Sequence, residues 1–217
     1  HKAEVTSVAF DSTGRRLATA SRDCTAIIWD VDTGKQQTTL SGHSNWVQTV
    51  RFNSDGTQLL TGSWDNSASL WDAKSGKAAR VKEGHSGPAL SVAFSPDGIS
   101  VVSGGVDGTV RVWNANTGGV ILTLQSQSEA VVNSVQYSPD GTFIASAADD
   151  RSLHLWDAQT GAELGLLEER NADLFYDALI SPDLKYMAAG GADSSTGYQG
   201  ALSVWDRQST QKIWSTQ

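Results

Sequence analysis

Cysteine, histidine, methionine, long apolar runs and clustered positive charge are all scarce in this chain, and each shortage removes a class of protein. Cys24 is the only cysteine in 217 residues, so no internal disulfide framework can hold the fold. Four histidines in total, and no second cysteine, leave no set of ligands at zinc spacing. No segment approaches the roughly 20 consecutive apolar residues of a membrane-spanning helix. Lys and Arg number 16 against 24 Asp and Glu, a net charge of −8 without basic clusters. That balance disfavours a nucleic-acid partner, whose phosphates need grouped cations, and favours basic protein surfaces. Met187 is the only methionine and the chain begins at His1, so we expect sequence to precede it, and a missing signal peptide carries no weight. The lone cysteine favours a reducing, intracellular and cytoplasmic setting.

What the chain does have is a period. Trp29-Asp30, Trp71-Asp72, Trp113-Asn114, Trp156-Asp157 and Trp205-Asp206 close five short apolar runs at spacings of 42, 42, 43 and 49 residues. A repeat of this length ending in Trp-Asp fits one four-stranded blade per unit. Within residues 42–81, alternation over Val47 to Phe52 suits a half-buried strand. Asn53-Ser54-Asp55-Gly56 breaks it, a second strand spans Gln58 to Ser63, Asp65-Asn66 turns the chain, a third spans Ser67 to Trp71, and a fourth spans Lys77 to Val81. The first strand ends at Phe10, Phe52, Phe94, Tyr137 and Ile180; its distance to the closing Trp is 19 residues in four repeats and 25 in the fifth, where about six residues near Ser194 to Gly200 are inserted. The turn after it reads Ser-Pro-Asp-Gly twice, but Ser-Pro-Asp-Leu in the fifth repeat. No linker interrupts the array, so we expect one all-β domain over 1–217, with blades near 1–41, 42–83, 84–126, 127–169 and 170–217.

These features in register, with Gly42-His43 and Gly84-His85 before the first strands, closely resemble the WD-repeat β-propeller family. The resemblance implies five four-stranded antiparallel blades. It also implies a hydrogen-bonded set of His, Ser or Thr, Asp and Trp in each blade. The matching residues are His1, Thr19, Asp23 and Trp29; His43, Thr61, Asp65 and Trp71; and His85, Ser103, Asp107 and Trp113. Such sets imitate a nucleophile triad. Against that reading, an indole N–H only donates, so each Trp would occupy the hydroxyl oxygen a nucleophile needs free. The fourth repeat keeps Ser146, Asp150 and Trp156 but has Ser128 for His; the fifth keeps Asp193 and Trp205 but has Asn171 and Ala189. Both should be less firmly pinned.

Other chemistry is thin. Lys74-Ser75-Gly76-Lys77 lacks the spacing of a phosphate loop and falls on a hairpin. Gly104-Gly105 belongs to a strand end. His154, on a third strand, reads as packed or solvent-facing, and Asp149-Asp150 and Glu168-Glu169 read as solvated loop carboxylates. No cofactor or metal is expected, and an enzyme using a propeller cavity is the least favoured class.

Trp46 and Trp64 are surplus to the repeat. They should lie on the face of the His-side loops, with Arg22 in the adjacent blade and Tyr198 on the inserted loop, and offer rigid anchors to a protein partner. The competing reading is packing under a loop or over a neighbouring blade; Trp214 is read as packing. The resemblance implies about seven blades, so five would be a slice of a larger propeller, a closed five-blade ring being the alternative. We expect a non-enzymatic protein-interaction scaffold, or a docking or sensor segment of a larger signalling ATPase or kinase.

Overall fold

The computed structural model describes residues 1–168, 174–193 and 199–216, with the backbone alone at 80–83, 193 and 199. Among the described residues twenty strands form five sheets, each an antiparallel meander in chain order. The first holds β1 (Val5–Phe10), β2 (Arg16–Ser21), β3 (Thr25–Asp30) and β4 (Gln36–Ser41); the second β5 (Val47–Phe52), β6 (Gln58–Ser63), β7 (Ser67–Asp72) and β8 (Ala78–Glu83). The third holds β9 (Ala89–Phe94), β10 (Ser100–Gly105), β11 (Thr109–Asn114) and β12 (Val120–Gln125); the fourth β13 (Val132–Tyr137), β14 (Phe143–Ala148), β15 (Ser152–Asp157) and β16 (Glu163–Glu168). The fifth holds β17 (Leu174–Ile180), β18 (Tyr186–Asp193), β19 (Gln199–Asp206) and β20 (Lys212–Thr216). No helix occurs among the described residues, and hence none long and apolar enough to cross a membrane.

Local chemistry sets these elements. Gly14, Gly56, Gly98 and Gly141 occupy the first turn of their blades at φ near +70°, a region that costs glycine nothing. In the fifth blade that position is Leu184, at φ 62°; its side chain packs against the core between the fourth and fifth sheets, which offsets the backbone strain. Two boundaries differ from expectation. The fourth strand of the second blade starts at Ala78 and runs to Glu83 because a bulge between Leu70 and Trp71 pairs Trp71 with Ala78. In the fifth blade Gln199 and Gly200 belong to the ladder, paired with Asp193 and Ala192, so part of the inserted length prolongs the hairpin.

The core lies between blades. Ala18, Ala20, Ile28 and Leu40 of the first meet Val47, Val50, Leu59 and Trp71 of the second, and the later junctions repeat the pattern. The innermost strands satisfy each other's edges through side chains: Thr6 Oγ1 donates to the Val47 carbonyl at 2.5 Å, Asn133 Nδ2 donates to the Phe175 carbonyl at 2.8 Å, and Gln136 Oε1 accepts from Ile180 N at 3.2 Å. The end blades lack one neighbour. Val5 and Val8 are 51% and 58% exposed, whereas Val47 and Val50 at the same register are fully buried. Trp214, expected to pack, is 47% exposed, because no described sheet lies against that flank of the fifth blade. A closed five-blade ring would bury these positions, so the described sheets form an open arc.

Candidate functional site

The three polar sets assemble as single chains. In the second blade Trp71 Nε1 donates to Thr61 Oγ1 at 2.8 Å, Thr61 lies 2.7 Å from His43 Nε2, and His43 Nδ1 lies 2.8 Å from Asp65. The first blade repeats this through Trp29, Thr19, His1 and Asp23 at 2.8, 2.6 and 2.9 Å. The third does so through Trp113, Ser103, His85 and Asp107 at 2.9, 2.7 and 2.9 Å. Burial raises the Asp65 and Asp107 carboxyls, but hydrogen bonds from Ser67 and His43, and from His85 and Ser86, together with the histidine charges, outweigh it and hold both below the ordinary range. An ionised Asp makes Nδ1 the donor, and Nε2 of the ring accepts the hydroxyl proton whenever the ring is neutral. Burial, helped by Arg111, pushes the His85 pKa down against Asp107. Every oxygen a nucleophile would use is engaged. These are blade pins.

The fourth blade departs from expectation. Ser128 still donates to Asp150, but the imidazole comes from within β15: His154 Nε2 lies 3.0 Å from Asp150 and Nδ1 lies 2.8 Å from Glu163. The ring stacks on Trp156 at 5.5 Å and 18°, and Trp156 Nε1 donates to Ser146 at 2.8 Å. Asp150, read as a solvated carboxylate, is therefore largely enclosed, held between Ser128 and His154. In the fifth blade Trp205 packs edge-on to Phe175, and Ala189 at the hydroxyl position is buried. Asn171 and the Asp193 side chain lie outside the described residues.

Trp46 and Trp64 come together on the face where the first strands begin. The same backbone bond recurs there in four blades: Arg22 N to the Glu4 carbonyl, Trp64 N to Trp46, Val106 N to Pro88 and Asp149 N to Val131, at 2.9 to 3.0 Å. The side chains on that scaffold change from blade to blade. The two indoles lie 5.2 Å apart at 55°, and Trp64 Nε1 donates to Gln48 Oε1 at 3.1 Å. Arg22 reaches across from the first blade to stand 4.5 Å from the Trp46 ring centre while pairing with Glu4 at 2.5 Å, a cation–π contact. Trp46 and Trp64 remain 37% and 40% exposed. Val106 continues this exposed strip into the third blade. Tyr198 lies outside the described residues. Glu4, Gln48 and Val106 escaped the sequence reading, although counting the same register in each repeat would have found them. Among the described residues no group of three or more His, Cys, Asp or Glu is placed to hold a metal ion.

Five four-stranded blades, the first three carrying the same hydrogen-bonded set, define a WD-repeat β-propeller. A family model described as the IFT122 first beta-propeller matches residues 1–213, and the chain belongs to that family. A WD repeat-containing protein WDS homolog of Arabidopsis thaliana is 54% identical over 48 residues, 21% of this chain and 9% of that protein's own length.

Proposed function

We propose that the chain is a non-enzymatic protein-interaction module whose partner docks on the Trp46–Trp64–Arg22 surface, in an intracellular, cytoplasmic setting. One observation carries this reading: two adjacent indoles stay over a third exposed although the pins and the junction cores use neither. Tryptophan and arginine dominate interface hot spots because they present large area at low entropic cost. The partner presents an apolar or aromatic group to Trp64 and a carboxylate to Arg22, drawing the latter from Glu4; its remaining surface is basic, to suit the net charge of −8. Affinity capture followed by titration with the captured protein, using wild type, Trp64→Ala and Arg22→Glu, tests it. Expected are losses on the order of 2 kcal/mol in binding for Trp64→Ala, with folding stability within about 1 kcal/mol of wild type. Unchanged affinity in both variants, or a collapse of stability in Trp64→Ala, overturns it.

A further inference from the structure

The opposite face, where the first strands end, holds a cavity of about 430 Å³ bounded by β5, β9, β13 and β17. Its walls are largely apolar, from Phe52, Phe94, Tyr137 and Leu179, and the exposed Ser54, Pro96 and Pro139 edge its mouth. Two charged side chains enter it, Arg51 from the second blade and Asp177 from the fifth.

The repeats themselves show that the fold does not ask for these charges. At the register of Asp177 the other inner strands carry Ser7, Thr49, Ser91 and Ser134. At the register of Arg51 they carry Ala9, Ala93, Gln136 and Leu179. Every other residue at these two positions is neutral. Arg51 and Asp177 sense each other electrostatically, yet they form no ion pair. The Arg51 Nη1 donates to the Val50 carbonyl at 2.8 Å and to Ser7 at 3.3 Å, and among the described residues Nε and Nη2 make no hydrogen bond. Asp177 Oδ1 accepts from Ser134 at 2.7 Å and from Ala178 N at 2.9 Å, while Oδ2 accepts none among the described residues. A held guanidinium and a held carboxylate thus line one cavity without pairing, with donors and an acceptor to spare.

We infer that this cavity binds a short peptide segment that presents a carboxylate to Arg51 and a cationic group to Asp177. Small-ligand sites have this make-up, apolar walls with a few fixed polar groups, at volumes of roughly 300–1,000 Å³. The cavity lies at the low end, enough for a few residues and too small for a folded partner. Guanidinium and carboxylate each make charge-assisted bonds of fixed geometry, so the two ends also set the direction of the bound segment. A free zwitterionic metabolite shares the end groups. The solvent-edged mouth favours a chain that continues out on either side.

The experiment titrates the 15N-labelled chain with three probes: acetyl-Glu-Ala-Pro-Lys-amide, its uncharged analogue acetyl-Gln-Ala-Pro-Gln-amide, and free lysine. The charged peptide is expected to shift amide resonances of β9, β13 and β17 saturably, at least fivefold more tightly than either other probe. Arg51→Gln and Asp177→Asn should each weaken it about fivefold, the upper size for one lost solvent-accessible charge pair. Trp64→Ala should leave it unchanged, so failure here is separable from failure of the interaction surface on the other face. Matching melting temperatures for the two neutralised variants exclude unfolding, and suppression of wild-type binding by salt gives a readout that needs no variant. Equal binding of the uncharged peptide, absence of salt dependence, or no saturable shift overturns the proposal; tighter binding of free lysine overturns the peptide assignment.

Discussion

The second and fourth blades solve one problem with different chemistry. In the second, His43 arrives from before β5 and lies edge-on to Trp71, at 61°, passing hydrogen bonds from indole to hydroxyl to imidazole to Asp65. In the fourth, His154 arrives from inside the sheet, lies flat on Trp156 and meets a carboxylate at each nitrogen. Two carboxylate acceptors are both satisfied only when both ring nitrogens carry protons. Burial pulls the His154 pKa down, but the hydrogen bonds and charges of Asp150 and Glu163 together hold it above its ordinary value. The second blade is thus pinned through a hydroxyl relay, and the fourth by a ring whose two carboxylate partners favour its charged form. What these two blades share is a hydroxyl that accepts from the tryptophan and an imidazole bound to the turn carboxylate, not a histidine at one position.

The sharpest way to break this comparison is at the hydroxyl. Thr61→Val removes the partner of both Trp71 and His43, and by the cost of buried unpaired groups it should destabilise by about 3 kcal/mol. Ser146→Ala orphans only the Trp156 N–H and should cost about half as much. Equal losses in denaturant titrations would mean that His154 does not stand outside the hydroxyl relay. At the next level, His43→Ala or Asp65→Ala should cost on the order of 1–3 kcal/mol, and Ser128→Ala clearly less, because His154 still holds Asp150.

The two histidine types should also respond to pH with opposite sign. A raised folded pKa makes the His154 contribution fully present below about pH 6.5 and lost as pH rises through the folded value. The lowered pKa of His85 makes its contribution present above about pH 6.5 and lost as pH falls through the folded value. Unfolding free energies of wild type, His154→Gln and His85→Gln from about pH 5 to about pH 9 check both: the first difference from wild type should shrink on the alkaline side, the second on the acid side. Parallel curves would refute the assignment of a charged ring to the fourth blade.

The smallest effect separates flanked from unflanked blades. Val8→Lys should change the stability of this chain by within about 0.5 kcal/mol, although Val50 at the same register is fully buried. It should nonetheless reduce self-association in sedimentation, since the bare apolar flank seeks cover. A loss of several kcal/mol would place a covering element on Val8 that the five sheets do not supply.

The fifth blade shows where reading residues ran short. Its Ser-Pro-Asp-Leu turn forms with the same geometry as the glycine turns, Leu184 N donating to Ser181 at 2.9 Å, so a broken motif did not mean a broken element. The pins of the first three blades were legible through the resemblance to the WD-repeat family, whose pattern this chain matches three times at equal spacing. His154 was read as merely packed or solvated because no other repeat places a histidine there. Its role follows from an absence 26 residues earlier, at Ser128, and from the reach of Glu163 in the next strand.

Strand number and turn chemistry were therefore settled by the sequence alone, since each depends on contacts within some 25 residues and on backbone preferences, while the three pins were implied by the family resemblance that these repeats carry. The angle at which one blade meets the next is recorded in no motif. That angle brought Arg22 onto Trp46 from a neighbouring sheet, left Val8 and Trp214 bare at the two ends, and set Arg51 and Asp177, 126 residues apart in the chain, in the lining of one cavity. Those relations belong to packing between repeats, where identical register positions acquire different neighbours, and only the tertiary structure could decide them.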